Sequence, residues 1–158
     1  MQPNSRKARA VLAVTAAIAA VAILAGGGAK ADGSVDYKVV GGHSIPQPLT
    51  DKPGDPERGK EIAINRKQGN CLACHKISGV DQPFQGEVGP RLDGIASVRS
   101  EGELRLQIVN AKAFNPDTIM PAFYKADGFH RVMDKFKGKT VLSAQQVEDI
   151  LAFVMTLK

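Results

Sequence analysis

Apolar residues recur with a helical period at three places along the chain. The clearest is near the C-terminus, where Val147, Ile150, Leu151 and Val154 stand at offsets 0, 3, 4 and 7, the spacing that lines one face of a helix. Phe153 and Leu157 add a second row, and Ser143 with Gln146 forms a capping box ahead of it. Ser100 and Glu103 form another capping box, followed by the stripe Leu104, Ile108 and Ala111. That helix must finish before Asn115-Pro116, because the residue before a proline disfavours the helical region. The first helix is predicted to start at Asp55-Pro56, with Asp as N-cap and Pro at the first helical position. Ile62 falls between Gly59 and Arg66 on one face. Glu57 and Glu61 suit the positive end of the helix dipole, and Arg66 and Lys67 the negative end. Gly69 is the expected stop.

Between these helices the period is lost. Residues 76–98 are interrupted by Gly79, Pro83, Gly86, Gly89, Pro90 and Gly94, which predicts an irregular wrap with a short helical turn at Leu92 to Ser97. Residues 115–127 read as a loop carrying Met120-Pro121-Ala122-Phe123-Tyr124. Residues 128–142 are mixed, with Phe129, Val132 and Met133 able to form one amphipathic turn. No strand alternates convincingly. Residues 32–55 are dense in Gly and Pro and poor in large apolar side chains. They predict an extended arm outside the core, suited to wrapping a partner protein.

The N-terminus is a different kind of segment. Arg6, Lys7 and Arg9 precede an uncharged apolar run from Ala10 to Ala25, and Ala29-Lys30-Ala31 fits a small-x-small cleavage site. Residues 1–31 therefore read as a secretory signal peptide, with export to the periplasm and no membrane attachment after cleavage. The run is short for a membrane span. Cleavage also changes the charge. The whole chain of 158 residues has 21 basic and 16 acidic side chains, a net charge of +5. Arg6, Lys7, Arg9 and Lys30 leave with the signal, so the remaining 127 residues carry 17 basic against 16 acidic side chains, or +1. A nearly neutral domain gives no case for nucleic acid as a partner.

Chemistry concentrates at Cys71-Leu72-Ala73-Cys74-His75, which contains the only two cysteines in the chain. CxxCH is the attachment signature of c-type haem: two thiols on one turn each form a thioether, and the following histidine is an axial iron ligand. One covalent haem c is therefore expected. A redox dithiol would need a preceding strand, and here a helix precedes. A zinc site would need His43 or His130 as a fourth ligand at unusual spacing. Gly89-Pro90 is the candidate source of a backbone carbonyl that orients His75 through its other ring nitrogen. For the sixth ligand Met120 is favoured. It sits in a loop, is followed by the stiffening Pro121, and lies 45 residues beyond His75. Met133 and Met155 are expected in the core. With His75 and Met120 both on iron no position is open to substrate, which favours electron transfer over catalysis at this haem. No catalytic constellation is visible elsewhere, so no catalytic residue is assigned.

In this order of elements, with helix, CxxCH, Gly89-Pro90-x-Leu92, middle helix, Met120-Pro121 and terminal helix, the chain resembles the class I c-type cytochromes. The resemblance implies an all-α domain over residues 56–158, with the N- and C-terminal helices crossing around one haem. It also implies a glycine of the first helix against an aromatic of the last, for which Gly59 and Phe153 are the candidates. A closer resemblance is to the SoxX family, the monohaem subunits of thiosulfate-oxidising SoxAX cytochromes. It is carried by Pro48-Leu49-Thr50 and Gly54 through Lys60, by Gly69-Asn70 and the CxxCH motif, by Asn115-Pro116 and Thr118 through Tyr124, and by Gly138-Lys139 and Leu142 through Phe153. This resemblance implies a SoxA-type cytochrome as heterodimer partner and a SoxYZ carrier protein as substrate of the complex. It also implies a downstream cytochrome c as electron acceptor. The reactive haem would sit on SoxA, where a modified cysteine binds iron, since this chain has no third cysteine. A free-standing periplasmic electron carrier, and a haem enzyme or sensor in which Met120 does not bind, are the alternatives.

Overall fold

The computed structural model describes residues 36–158; the predicted signal peptide lies outside them. Four α-helices make up the regular structure: α1 (Pro56–Ile64), α2 (Ile95–Val98), α3 (Glu101–Phe114) and α4 (Ala144–Val154). Two short 3-10 turns stand at Cys71–Ala73 and Asp134–Phe136. Among the described residues the only β pairing is an isolated bridge between Val40 and Ser44, so the domain is all-α. No helix among them is long and apolar enough to cross a membrane.

The helix starts follow the capping chemistry. The Asp55 side chain accepts from the backbone N–H groups of Glu57 and Arg58, and complete capping boxes open α3 at Ser100 and α4 at Ser143. Each satisfies donors that the first turn leaves without partners. The end of α1 differs from expectation. The helix stops at Ile64 with Asn65 as C-cap, so Arg66 and Lys67 lie beyond it. Gly69 is not the stop. Its N–H reaches back to the Ile62 carbonyl at 3.1 Å, where a Cβ would crowd that oxygen at 2.9 Å. The left-handed residue is its neighbour Asn70, at φ 50°.

α1 and α4 form the most extensive helix contact. A Cβ on Gly59 would run into the carbonyl of Asp149 and the N–H of Ile150. The glycine therefore lets the backbones touch, and its nearest neighbour is the Asp149 carbonyl rather than the Phe153 ring. Buried Ile62 and Ala63 of α1 meet Val147, Ile150, Leu151 and Phe153 of α4, and Leu104, Leu106, Ile108 and Val109 of α3 complete the core. Burial of these side chains is the main stabilising contribution to so small a domain.

Three further expectations are revised. Residues 128–142 form no amphipathic helical turn at Phe129–Met133, and Met133 is 63 % exposed rather than core. Met155 does pack against the core. The arm is the larger surprise. Residues 36–55 lie along the domain itself, with Ile45 fully buried and Leu49 6 % exposed in the same core. A few apolar anchors in a Gly/Pro-rich segment are enough to dock it, and sequence density understates them.

Candidate haem site

The CxxCH motif is a single tight turn. The N–H groups of Cys74 and His75 both donate to the Cys71 carbonyl, at 3.1 and 2.9 Å. Leu72 points into the core, while Cys71 and Cys74 are half-buried free thiols. Burial pushes the Cys71 thiol up to about 11, so it is protonated at neutral pH, with the backbone hydrogen bond opposing and Cys74 adding.

The irregular segment after the motif folds back over it. Gly86 N–H donates to Leu72 O at 2.7 Å, Gly89 N–H to Cys74 O at 2.8 Å, and Leu92 N–H to Lys76 O at 3.0 Å. Two polar side chains hold this wrap in shape. Gln85 accepts from Ile77 N–H at 2.7 Å and donates to Val80 O at 2.8 Å. Asp93 accepts from Ser78 N–H at 2.8 Å and pairs with Arg91 at 2.7 Å. The Ser78 N–H is the main reason the Asp93 carboxyl lies below the usual carboxylate range, with Arg91 adding. Neither Gln85 nor Asp93 was singled out by sequence, where a lone polar side chain in a loop carries no signal.

His75 is oriented by this wrap. Its Nδ1 lies 2.6 Å from the Pro90 carbonyl oxygen. A carbonyl can only accept, so Nδ1 carries the proton and Nε2 has the free lone pair that a metal requires. Gly89 makes the approach possible: a Cβ there would strike the imidazole, at 2.7 Å from Nδ1 and 2.9 Å from Nε2.

Met120 stands on a separate loop. It is half-buried, and its N–H donates to Thr118 Oγ1 at 3.2 Å. Lys112 ties the preceding stretch to α3 by donating to Thr118 O at 2.6 Å. Just after it, Phe123 N–H donates to Ile108 O at 3.2 Å and Tyr124 N–H to Val109 O at 3.1 Å. These carbonyls flank a break in α3, where Asn110 is extended at φ −158°, ψ 85°. The break, which nothing in the helical period announces, is what receives the Met120 loop. His43 and His130 are both exposed, and His43 Nδ1 is engaged by Gly41 O at 2.8 Å. Among the described residues no three His, Cys, Asp or Glu side chains gather as for a metal ion, so the zinc arrangement is not assembled.

These features fit a covalent haem. Two free thiols share one turn, the imidazole has one nitrogen committed and one available, and a glycine leaves space at its ring. Val88 beside Gly89 and Ile119 beside Met120 are 68 % and 78 % exposed, apolar surface that a flat macrocycle would cover.

Comparison with known proteins agrees. Residues 56–158 match the cytochrome c family model. No curated protein sequence matches the chain. Among solved structures, the crystal structure of SoxXA from P. pantotrophus matches with 41% identity and a TM-score of 0.71, covering 82% of this chain and 97% of that chain. The chain thus belongs to the cytochrome c family, and within it is a SoxX-type cytochrome with one covalently bound haem c.

Proposed function

We propose that the protein is the electron-transferring monohaem subunit of a periplasmic thiosulfate-oxidising complex, paired with a SoxA-type cytochrome. The observation that carries this reading is the extent of the SoxXA match. It covers 82% of the 158 residues, more than the helical domain at 56–158 alone, so the likeness takes in part of the N-terminal arm. Generic c-type cytochromes share the domain and need not share the arm.

Bound haem supplies a one-electron iron couple. Cys71 and Cys74 would anchor it through thioethers, and His75 would offer Nε2 to the iron, with the Pro90 carbonyl fixing its tautomer. Met120 would supply the second protein ligand. Two protein ligands keep substrate off the iron, and a methionine sulfur raises the reduction potential, as an electron acceptor requires. Both cysteines of the chain are taken by attachment, so none remains for sulfur chemistry. The oxidative joining of thiosulfate to a SoxYZ carrier cysteine falls to the partner, and electrons pass from this chain to a downstream cytochrome c.

Purification from the native host tests the pairing. Isolation as a heterodimer with a second c-type cytochrome is expected, and isolation as a monomer while a SoxA-type subunit is present refutes it. The ligand assignment is tested on Met120→Ala. The sulfur-to-iron charge-transfer band of the oxidised protein should disappear, and its survival excludes Met120.

A further inference from the structure

The stretch from Asp36 to Leu49 follows a definite path over the domain. Ile45 and Leu49 sink into the core. Around them the backbone is pinned at three points. Ile45 N–H donates to Gly102 O at 2.9 Å, Ile45 O accepts from Arg105 Nη1 at 2.8 Å, and Leu49 N–H donates to Glu148 Oε1 at 2.8 Å. N-terminal to these pins the chain reverses. Val40 N–H donates to Ser44 O at 2.8 Å across a turn in which Gly41 and Gly42 have φ of 61° and 76°, a left-handed conformation that glycine adopts without strain. The reversal sends residues 36–40 back across the domain, where Tyr37 and Val39 pack against the core.

Tyr37 arrives at the loop that carries Met120. Its ring stands 6.4 Å from that of Tyr124, tilted by 48°, within the range of a favourable aromatic pair. Burial holds the Tyr37 phenol above its usual range, with Asp127 and then Tyr124 adding, so residues on this same loop are its electrostatic neighbours. Tyr124 is 2 % exposed and four residues beyond Met120. With Phe123 it makes the backbone bonds to α3, and Phe123 O accepts from Leu142 N–H at 3.0 Å. On the other side of Met120, Thr118 N–H donates to Asn115 O at 3.2 Å, and Lys112 of α3 donates to the Pro116 and Thr118 carbonyls at 3.3 and 2.6 Å. Met120 is thus held between the Lys112 tie and the anchor at 122–124, and part of what covers that anchor is Tyr37.

We infer that residues 36–49 are an intramolecular strap, and that Tyr37 on it is a positioning residue that braces the Tyr124 anchor and so holds Met120 in place. This rests on the reading of Met120 as iron ligand. A methionine–iron bond is weak enough to open transiently, and the opening is easier if the loop can swing away. The strap limits that swing without touching the iron.

The test uses the full-length oxidised holo-protein. Binding of exogenous imidazole, which requires Met120 to leave, is followed by loss of the charge-transfer band. Amide hydrogen exchange is read at Phe123 and Tyr124. Tyr37→Ala should raise both the rate of imidazole binding and exchange at these two amides by about tenfold, the scale of a lost aromatic pair with its buried area. Tyr37→Phe, which keeps the ring, should restore both to within about twofold. His43→Ala, on the exposed turn, should change neither. Wild-type rates in Tyr37→Ala overturn the proposal. If the wild type shows no methionine band, the ligand reading fails by itself and the strap is judged on exchange, where unchanged protection at Phe123 and Tyr124 overturns it.

Discussion

His75 and Pro90, 15 residues apart, are joined by a hydrogen bond of 2.6 Å from the imidazole Nδ1 to the proline carbonyl. The bond is backbone on one side, so it depends on the path of the chain rather than on the proline ring. The glycine before it matters more. In Gly89→Ala the new methyl group would enter the His75 ring, and either the ring or the loop must move, at a cost of about 1–3 kcal/mol. Covalent haem content should fall several-fold, measured as haem stain per protein on a denaturing gel. Pro90→Ala retains the carbonyl and should cost less than about 1 kcal/mol, with haem content preserved.

What the sequence revealed about this site follows from where the information lies. CxxCH and Gly89-Pro90 are local signals, each imposing a conformation on its own neighbours, and in the structure the His75 ring meets the Pro90 carbonyl. Capping boxes at Ser100 and Ser143 are equally local and set the starts of α3 and α4. Three features were not legible. The break at Asn110 depends on Phe123 and Tyr124 supplying donors from another part of the chain. The docking of Ile45 and Leu49 depends on Arg105 and Glu148, which in sequence are two charges on apolar helices. The exposure of Met133 depends on a loop that winds without helical period. In the first two cases the deciding contact is distant along the chain.

The crossing of α1 and α4 should be intolerant of the smallest side chain. Gly59→Ala would place a methyl group within the Asp149 carbonyl, a backbone atom that cannot rotate away. The helices must separate, loosening the packing of α1 against α4. Unfolding of the holo-protein in guanidinium should show a loss of about 2–3 kcal/mol, against the roughly 1 kcal/mol gain that the same change brings in an unconstrained helix.

Acid stability should depend on Asp149. Burial alone would raise its pKa, but hydrogen bonds from Arg58, Gln145 and the Asp55 N–H outweigh burial and hold it below the usual range. A lowered folded pKa means that the carboxylate stabilises the fold fully above the unfolded value of about 4, and that this is lost as pH falls through the folded value. The Arg58 side chain is 53 % exposed, so screening by solvent keeps the effect modest. Between pH 5 and pH 2 (roughly the window in which carboxylates titrate) the wild type should lose more stability than Asp149→Asn. Parallel curves for the two proteins over that range would show that Asp149 is not responsible.

The ion pair between Arg105 and Glu148 should behave as a latch for the strap. The two side chains are 1 % and 6 % exposed and meet at 2.8 Å. Arg105 also donates to Ile45 O and to Glu101, at 2.8 and 2.6 Å, while Glu148 accepts from Leu49 N–H at 2.8 Å. Removing Arg105 leaves the buried Glu148 carboxylate uncompensated, removing Glu148 leaves buried Arg105 with only the exposed Glu101 as a counter-charge, and each change frees one backbone pin of the arm. Arg105→Met or Glu148→Leu should therefore each cost about 3–5 kcal/mol. In the double variant no buried charge remains, and only the Ile45 carbonyl and Leu49 N–H lose partners, at about 1–3 kcal/mol each. Its total should fall well short of the sum of the single changes, with a coupling of at least about 1 kcal/mol in a denaturation cycle. Additive losses would mean that the two residues act apart. Limited proteolysis distinguishes the latch from plain core packing. Cleavage within residues 36–49 should accelerate in both single variants before the helical domain is cut; arm and domain cut together would mean that the pair acts through core packing alone.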